Sequence, residues 1–366
     1  MRARFVAPIA AGALAAVLIV ATSGGSIDRM TFGDGSIHRY VASHLDASAP
    51  EVPAEVAEVG ASLRYGRIGL PALLFLASGG SPRAMRVAQP LLMVLAAAAA
   101  AAAVARLFPG RSWSGLLAFL VPGFVVSLLG GYAEPVALAF ALWGIERALG
   151  GRWIAAASLF AAAILTKETA GAFLIGSVAW AVGRKEGRRA AAPLLALVPV
   201  AGWYAVVRSR FGSFPPLDPY LTGPTALGTP LLGPYRSIVE AFSTPAMLAA
   251  ALHLAAGLAL IAIARRSVFA ASGAVASLQL VTTSPWLWRF VGDGFRTSTF
   301  IHAGAALGVV ALVRPGWALP AAVRTGSLSS PSAGTRGRDG RPPRPPARRS
   351  APRASRRRSS GGSSPS

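Results

Sequence analysis

Residues 87–107 read Val87-Ala-Gln-Pro-Leu-Leu-Met-Val-Leu-Ala-Ala-Ala-Ala-Ala-Ala-Ala-Ala-Val-Ala-Arg106-Leu107. The apolar run is continuous rather than alternating, which suits a helix and not a barrel strand. Roughly 20 such residues cross a bilayer core as a helix. Arg106 closes the stretch and Arg111 follows it. Cationic residues collect on the cytoplasmic side of a membrane, so this span enters from outside and ends inside. The Ala96–Ala103 run within it offers a small-residue face for close helix packing.

The rest of the chain agrees with that class. Hydrophobic residues make up 53% of it, charged residues only 14%, and mean hydropathy is +0.52, which excludes an ordinary soluble protein. The expected fold class is all-α, a polytopic membrane protein of about ten transmembrane helices with a large first extracytoplasmic loop. No cysteine is present, so disulfides and thiolate metal sites are excluded.

Arginines set the expected order of crossings. Arg2 and Arg4 precede an apolar segment, about residues 5–22, read as an uncleaved anchor with a cytoplasmic N-terminus. Residues 24–86 then lie outside. Within them Ile68–Ser78 is too short to cross and reads as a re-entrant or interfacial helix. After Val87–Leu107 the expected spans are Trp113–Leu129, Val136–Ile145, Trp153–Leu165, Ala170–Val182, Pro193–Val207, Met247–Ala264, Val268–Thr283 and Thr299–Val313. This order leaves the Arg184–Arg189 loop inside; counting Ile68–Ser78 as a crossing would export it. Residues 1–323 form this membrane domain. Residues 324–366 carry eleven arginines against Asp339 in a Pro/Ser/Gly-rich setting. That tail is expected to be disordered, cytoplasmic and in contact with anionic lipid. It has no aromatic residues between its arginines, so the net charge of +22 does not read as a nucleic-acid signal.

The outer loop holds six of the fourteen acidic residues: Asp28, Asp34, Asp46, Glu51, Glu55 and Glu58. The same order of crossings collects Asp34, Glu134, Lys167-Glu168 and Arg289/Asp293/Arg296 on the outer face. Charged groups at membrane depth are costly and mark functional sites, and their shared side is the stronger signal. Each also has a plain structural reading. Asp34-Gly35 is a common turn dipeptide. Glu134-Pro135 starts a helix, with proline in the first turn and a carboxylate at the positive end of the dipole. Thr166-Lys-Glu-Thr169 is a capping turn with a local ion pair. Arg64 and Arg67 stand on the wrong side for the charge rule and need an anion or the acidic loop as partner. Glu51, Glu55 and Glu58 read as a solvated helical face. His38 and His44 read as solvated loop residues, His253 and His302 as packing residues.

These motifs resemble the bacterial integral-membrane glycosyltransferases of the C superfamily, which use polyprenyl-phosphate sugars. The family's Tyr-Asp-Gly-Gln-x-Tyr-Tyr-Arg is matched by Phe32-Gly-Asp34-Gly35-Ser36-Ile-His38-Arg39-Tyr40. Its Arg-Tyr-x-Arg-Ile-x-x-Pro is matched by Arg64-Tyr65-Gly-Arg67-Ile68-Gly-Leu-Pro71. Thr-Glu-Pro becomes Ala133-Glu134-Pro135, and Arg/Lys-Glu-Thr appears as Lys167-Glu168-Thr169. The order of all four is preserved over about residues 1–210. The aromatic pair after Asp34 is lost, Ser36 replaces the glutamine, and the threonine before Glu134 is missing.

The resemblance implies a sugar transferase, mannosyltransferase-like and inverting, that joins a polyprenyl-phosphate sugar to a glycan or lipid acceptor hydroxyl at the outer bilayer surface. Asp34 would be the catalytic base. Arg64, Arg67, Lys167 or Arg296 would stabilise the phosphate, and Arg39, Glu134 and Glu168 would line the substrate site. The resemblance fixes no cofactor beyond the lipid-linked donor, and a divalent cation is left open. Two other classes compete. A transporter or flippase predicts mid-span charges and broken helices. A non-catalytic membrane scaffold is the third.

Overall fold

The computed structural model describes residues 3–26, 29–30, 34–45, 60–109, 112–215, 255–281 and 299–312. These belong to the first of the two units into which the chain divides, Met1–Gly326. Among the described residues every regular element is a helix. The expected tail from 324 and the segment 216–254 lie outside them.

The first helix, α1, covers Ala3–Ser23. Among its described residues, the stretch expected as an outer loop contains three short helices: α2 (Asp34–Ser43), α3 (Ala61–Gly66) and α4 (Gly69–Ser78). Asp34 therefore opens a helix, where a carboxylate suits the positive end of the dipole, rather than making a turn. Val41 packs with Tyr65 and Val207 in a small second core, flanked by Ile37, Tyr40, Trp203 and Phe211. That apolar contact folds the segment onto the bundle.

The long apolar helix α5 spans Pro82–Leu107. It begins five residues before the expected start. Ser81 caps it, accepting from the Ala84 amide at 3.4 Å, and Pro82 fills the first turn. Twenty-six residues give a length of about 39 Å, enough to cross a bilayer with tilt. The expected single span over Trp113–Leu129 is broken. A 3₁₀ segment, Ser112–Leu120, and α6, Pro122–Gly130, meet at 80°. Val121 between them is extended, because the residue before a proline is pushed out of the helical region.

Next come α7 (Glu134–Leu149), α8 (Trp153–Thr166), α9 (Gly171–Gly183), α10 (Gly187–Ala191) and α11 (Leu197–Phe211). A 3₁₀ segment, Ala192–Ala196, runs directly into α11. The last three among the described residues are α12 (residues 255–263), α13 (Val268–Val281) and α14 (Thr299–Leu312). Phe5–Ser23, Pro82–Leu107 and Ala192–Phe211 are long and apolar enough to cross a membrane, and the bent pair makes a fourth if it counts as one span. Other apolar helices, such as Trp153–Thr166 and Glu168–Gly183, have 10–17 residues. Among the described residues, length and composition alone thus give three or four crossings, against the ten expected of the whole chain. Ile9, Val17, Leu91, Leu95, Ile154 and Val198 face outward, an apolar exterior that suits lipid better than water. Together the apolar helices and this exterior mark a membrane protein.

Helix directions follow from the contacts. Gln89 bonds to Gly131 just before α7, Trp143 donates to the Ala99 carbonyl, and Arg106 reaches Glu146. The register rises along both helices, so α5 and α7 run parallel. Helix α8 runs the other way, with Lys167 beside Glu134 and Phe160 against Gly144. Two ends result. One carries Asp34, Glu134 and Lys167, the other Arg106, Glu146 and Arg147. Between them the core is built from small and aromatic residues, including Ala97, Ala100, Ala137, Phe124 and Phe160. The buried hydroxyls of Ser177 and Ser272 return to their own helices, donating to the Phe173 and Val268 carbonyls.

Candidate functional site at the Asp34 end

Asp34 sits at the first turn of α2, and Arg64 meets it from α3, Nη2 to Oδ1 at 3.1 Å. Arg64 is buried, while about a fifth (20%) of the Asp34 side chain stays exposed. Arg67 lies one turn further on and forms a two-pronged bond with Glu168: Nε to Oε2 at 2.7 Å and Nη2 to Oε1 at 2.6 Å. Such forked pairs fix direction as well as distance. Gly69 allows this approach. A Cβ at that position would stand 2.8 Å from the Thr166 backbone nitrogen, so only glycine lets the chain after Arg67 press on the end of α8.

Lys167 turns away from its neighbour. It leaves α8 with extended backbone, φ −154° and ψ 118°, so its side chain and that of Glu168 diverge. Its Nζ lies 3.2 Å from Glu134 Oε1, and both residues are almost fully buried. The expected local Lys167–Glu168 pair is thus replaced by two long-range pairs. Proline in the first turn of α7 and Glu134 at its start agree with the expected helix start. The carboxylate adds an ion pair that the helix start did not call for.

His38, one helical turn after Asp34, is buried and not solvated. Burial first, then the charges of Arg64 and Arg67, outweigh the opposite pull of Asp34 and Glu134 and hold it down at about 3, so it is neutral at ordinary pH. Burial alone would raise Glu168, but Arg67, then Lys167, lowers it to about 2. Burial likewise opposes the charge on Arg67, and the paired Glu168 overcomes it, shifting Arg67 upward. His44 lies outside this group and stacks on Tyr40, ring centroids 4.4 Å apart.

Arg39 Nη1 donates to Gln89 Oε1 at 2.8 Å. Gln89 in turn donates through Nε2 to the Gly35 and Gly131 carbonyls, at 3.0 and 2.7 Å. The sequence reading missed Gln89. Its signal was a lone amide in an otherwise apolar span, where polar groups are costly.

Seven expected residues therefore share one end of the bundle: Asp34, Arg39, Arg64, Arg67, Glu134, Lys167 and Glu168. Arg296 and Asp28 lie outside the described residues, as do Glu51, Glu55, Glu58 and His253. The three carboxylates pair with separate cations, and no group of three His, Asp or Glu able to hold a metal occurs among the described residues. Chemically, the arrangement offers an accessible carboxylate beside a fixed, mostly buried set of cations. That combination suits deprotonating one group while stabilising negative charge on another. Comparison with protein-family models, with curated proteins and with solved structures finds no match.

Proposed function

We propose that this chain is an inverting membrane glycosyltransferase of the C superfamily that draws its sugar from a polyprenyl-phosphate donor. The observation that carries the reading is the meeting of Asp34, Arg64, Arg67, Glu134, Lys167 and Glu168, from four separate stretches of chain, at one end of the helices. In this reading the acceptor hydroxyl gives its proton to Asp34 as its oxygen bonds to the anomeric carbon. The bond from that carbon to the phosphate oxygen breaks, and the lipid phosphate leaves with the electron pair. A phosphate leaving group needs positive charge rather than a proton, and Arg64, Arg67 and Lys167 supply the local field. Glu134 and Glu168 hold Lys167 and Arg67 in place. The acceptor is a glycan or lipid hydroxyl, and mannose is the first donor sugar to test.

The proposed setting is the cytoplasmic membrane, crossed about ten times, with the Asp34 end outside and both termini inside. The parallel α5 and α7 and the antiparallel α8 agree with that order. The chain lacks cysteine, so single cysteines report sidedness directly. Ser36→Cys and Ser81→Cys should react with an impermeant maleimide on intact cells, and Gly187→Cys should not. Labelling of all three, or of Gly187→Cys alone, refutes the topology.

The decisive assay uses the purified protein in liposomes with radiolabelled polyprenyl-phosphate mannose and other polyprenyl-phosphate sugars. Transfer to an acceptor should occur with wild type and vanish in Asp34→Asn, which still inserts. Full turnover by Asp34→Asn removes the carboxylate from the mechanism.

One observation favours a transporter or flippase instead: the 80° break at Val121, since broken helices line transport sites. The described ion pairs lie at helix ends rather than mid-span, which favours the transferase. Movement of the polyprenyl-phosphate sugar across the liposome membrane, without transfer, would reverse that ranking.

A further inference from the structure

Gln89 lies in α5, a helix that is otherwise long and apolar, and its side chain is wholly enclosed. An amide in such a place is costly unless its donors and its acceptor are satisfied. Here they are used on three separate segments. Nε2 donates to the carbonyl of Gly35, the residue after Asp34, and to the carbonyl of Gly131, three residues before Glu134. Oε1 accepts from Arg39, one turn further along α2. Gly131 adopts φ 67°, the left-handed cap of α6, and this turns the chain toward α7 at the point where its carbonyl meets the amide.

We infer that Gln89 is a positioning residue, which fixes the Asp34 turn of α2 against the Gly131–Glu134 turn and so sets the base relative to the Lys167–Glu134 pair. The inference rests on the transferase reading for its kinetic consequence but not for its structural one. The bonded atoms explain why the residue is glutamine. A glutamate presents only acceptors to two carbonyls, a leucine leaves both carbonyls without this donor, and an asparagine is one methylene too short to span the same points. Neighbouring helices supply the alignment that α2 cannot supply alone, since isolated helices of its length are marginal.

The test uses full-length protein in nanodiscs, with Gln89→Leu and Gln89→Glu as independent variants and Arg106→Gln, at the opposite end, as control. Hydrogen exchange of residues 34–43 should accelerate about tenfold or more in both Gln89 variants, as expected for losing one or two net hydrogen bonds. It should be unchanged in Arg106→Gln. In the transfer assay kcat should fall about 10²-fold while KM for the donor holds, because a displaced base harms the chemical step more than binding. Unchanged exchange over 34–43 in both variants overturns the inference. So does faster exchange with an undiminished kcat. If wild type transfers no sugar from any polyprenyl-phosphate donor, the transferase reading fails by itself, and the exchange result still decides whether Gln89 positions α2.

Discussion

The two ends of the α5–α7 pair handle charge in opposite ways. At the Arg106 end, Glu146 accepts from Arg106 at 2.8 Å and lies 3.4 Å from its neighbour Arg147. Both guanidiniums lie over Trp143, at 5.7 and 5.1 Å, and Arg106 is 46% exposed. The half-exposed arginine keeps this end in touch with solvent, and ion pairs with a solvated partner contribute little. At the Asp34 end the pairs remove Lys167, Glu134 and Arg64 from water. Buried ion pairs seldom improve on apolar packing of the same volume. A bundle that needed only stability would have no use for them, so the contrast points to chemistry at one end and interfacial anchoring at the other.

The largest effect that can test this contrast is catalytic. Asp34→Asn keeps the size of the side chain and removes the proposed base, so transfer should fall by about 10²–10⁴-fold. Arg106→Gln should leave it unchanged, and comparable loss in both variants would abolish the distinction between the ends. Next is Lys167→Met, which removes the Lys167 cation from the buried Glu134 carboxylate. Breaking a buried pair in this way costs about 3–5 kcal/mol, readable as a shift of unfolding in detergent. The double variant Glu134→Leu/Lys167→Met should regain most of that stability and none of the activity. Regained activity would reduce the pair to a structural element.

The sequence reading got the membership of the Asp34 end and missed its wiring. Arg64 and Arg67 visibly needed partners, and Glu134-Pro135 visibly began a helix, because both signals are local. Lys167 and Glu168 looked like partners because they are adjacent, yet consecutive side chains point apart and the partner of Glu168 lies 101 residues away. His38 looked solvated because its burial depends on α2 closing onto Tyr65 and Val207, residues that no local pattern links to it. The 80° break had a visible cause in Pro122, but hydropathy summed over the whole segment concealed it.

Acidity offers a third, graded probe. An unfolded histidine titrates near 6.5, whereas His38 in place does so only at about 3. Between those values the unfolded chain binds a proton that the folded one refuses. The stabilisation from keeping His38 neutral is therefore complete above pH 6.5 and is lost as pH falls toward 3. Wild type should lose stability faster than His38→Gln between pH 6.5 and 5 in denaturant titrations. Parallel curves would show that His38 is not enclosed. Glu168 adds a second loss at lower pH, from 4.5 toward about 2, as its pairing with Arg67 is protonated away.

Backbone approach separates the ends less strongly. Gly69→Ala would drive a Cβ into the Thr166 backbone and push Arg67 off Glu168. The expected cost is about 1–3 kcal/mol, as for other overpacked contacts, with a matching fall in transfer. Gly183→Ala, at the other end of α9 from Glu168, meets nothing within 4 Å and should be neutral or slightly stabilising. Equal effects of the two substitutions would mean that the α4–α8 contact does not position Arg67.

The smallest expected effect is Arg106→Gln itself, and its size decides how far the comparison holds. The substitution removes a pair with Glu146 and a stacking contact on Trp143. Each is worth under about 1 kcal/mol where one partner is solvated, and Arg147 remains beside both Glu146 and Trp143 to take over part of the interaction. The unfolding shift should therefore be a small fraction of that for Lys167→Met, and it should shrink further in high salt, which screens exposed charge but barely reaches enclosed charge. A salt-insensitive loss as large as that of Lys167→Met would mean that Glu146 is as thoroughly enclosed as Glu134, and burial would then no longer distinguish the proposed reactive end of the bundle from the opposite one.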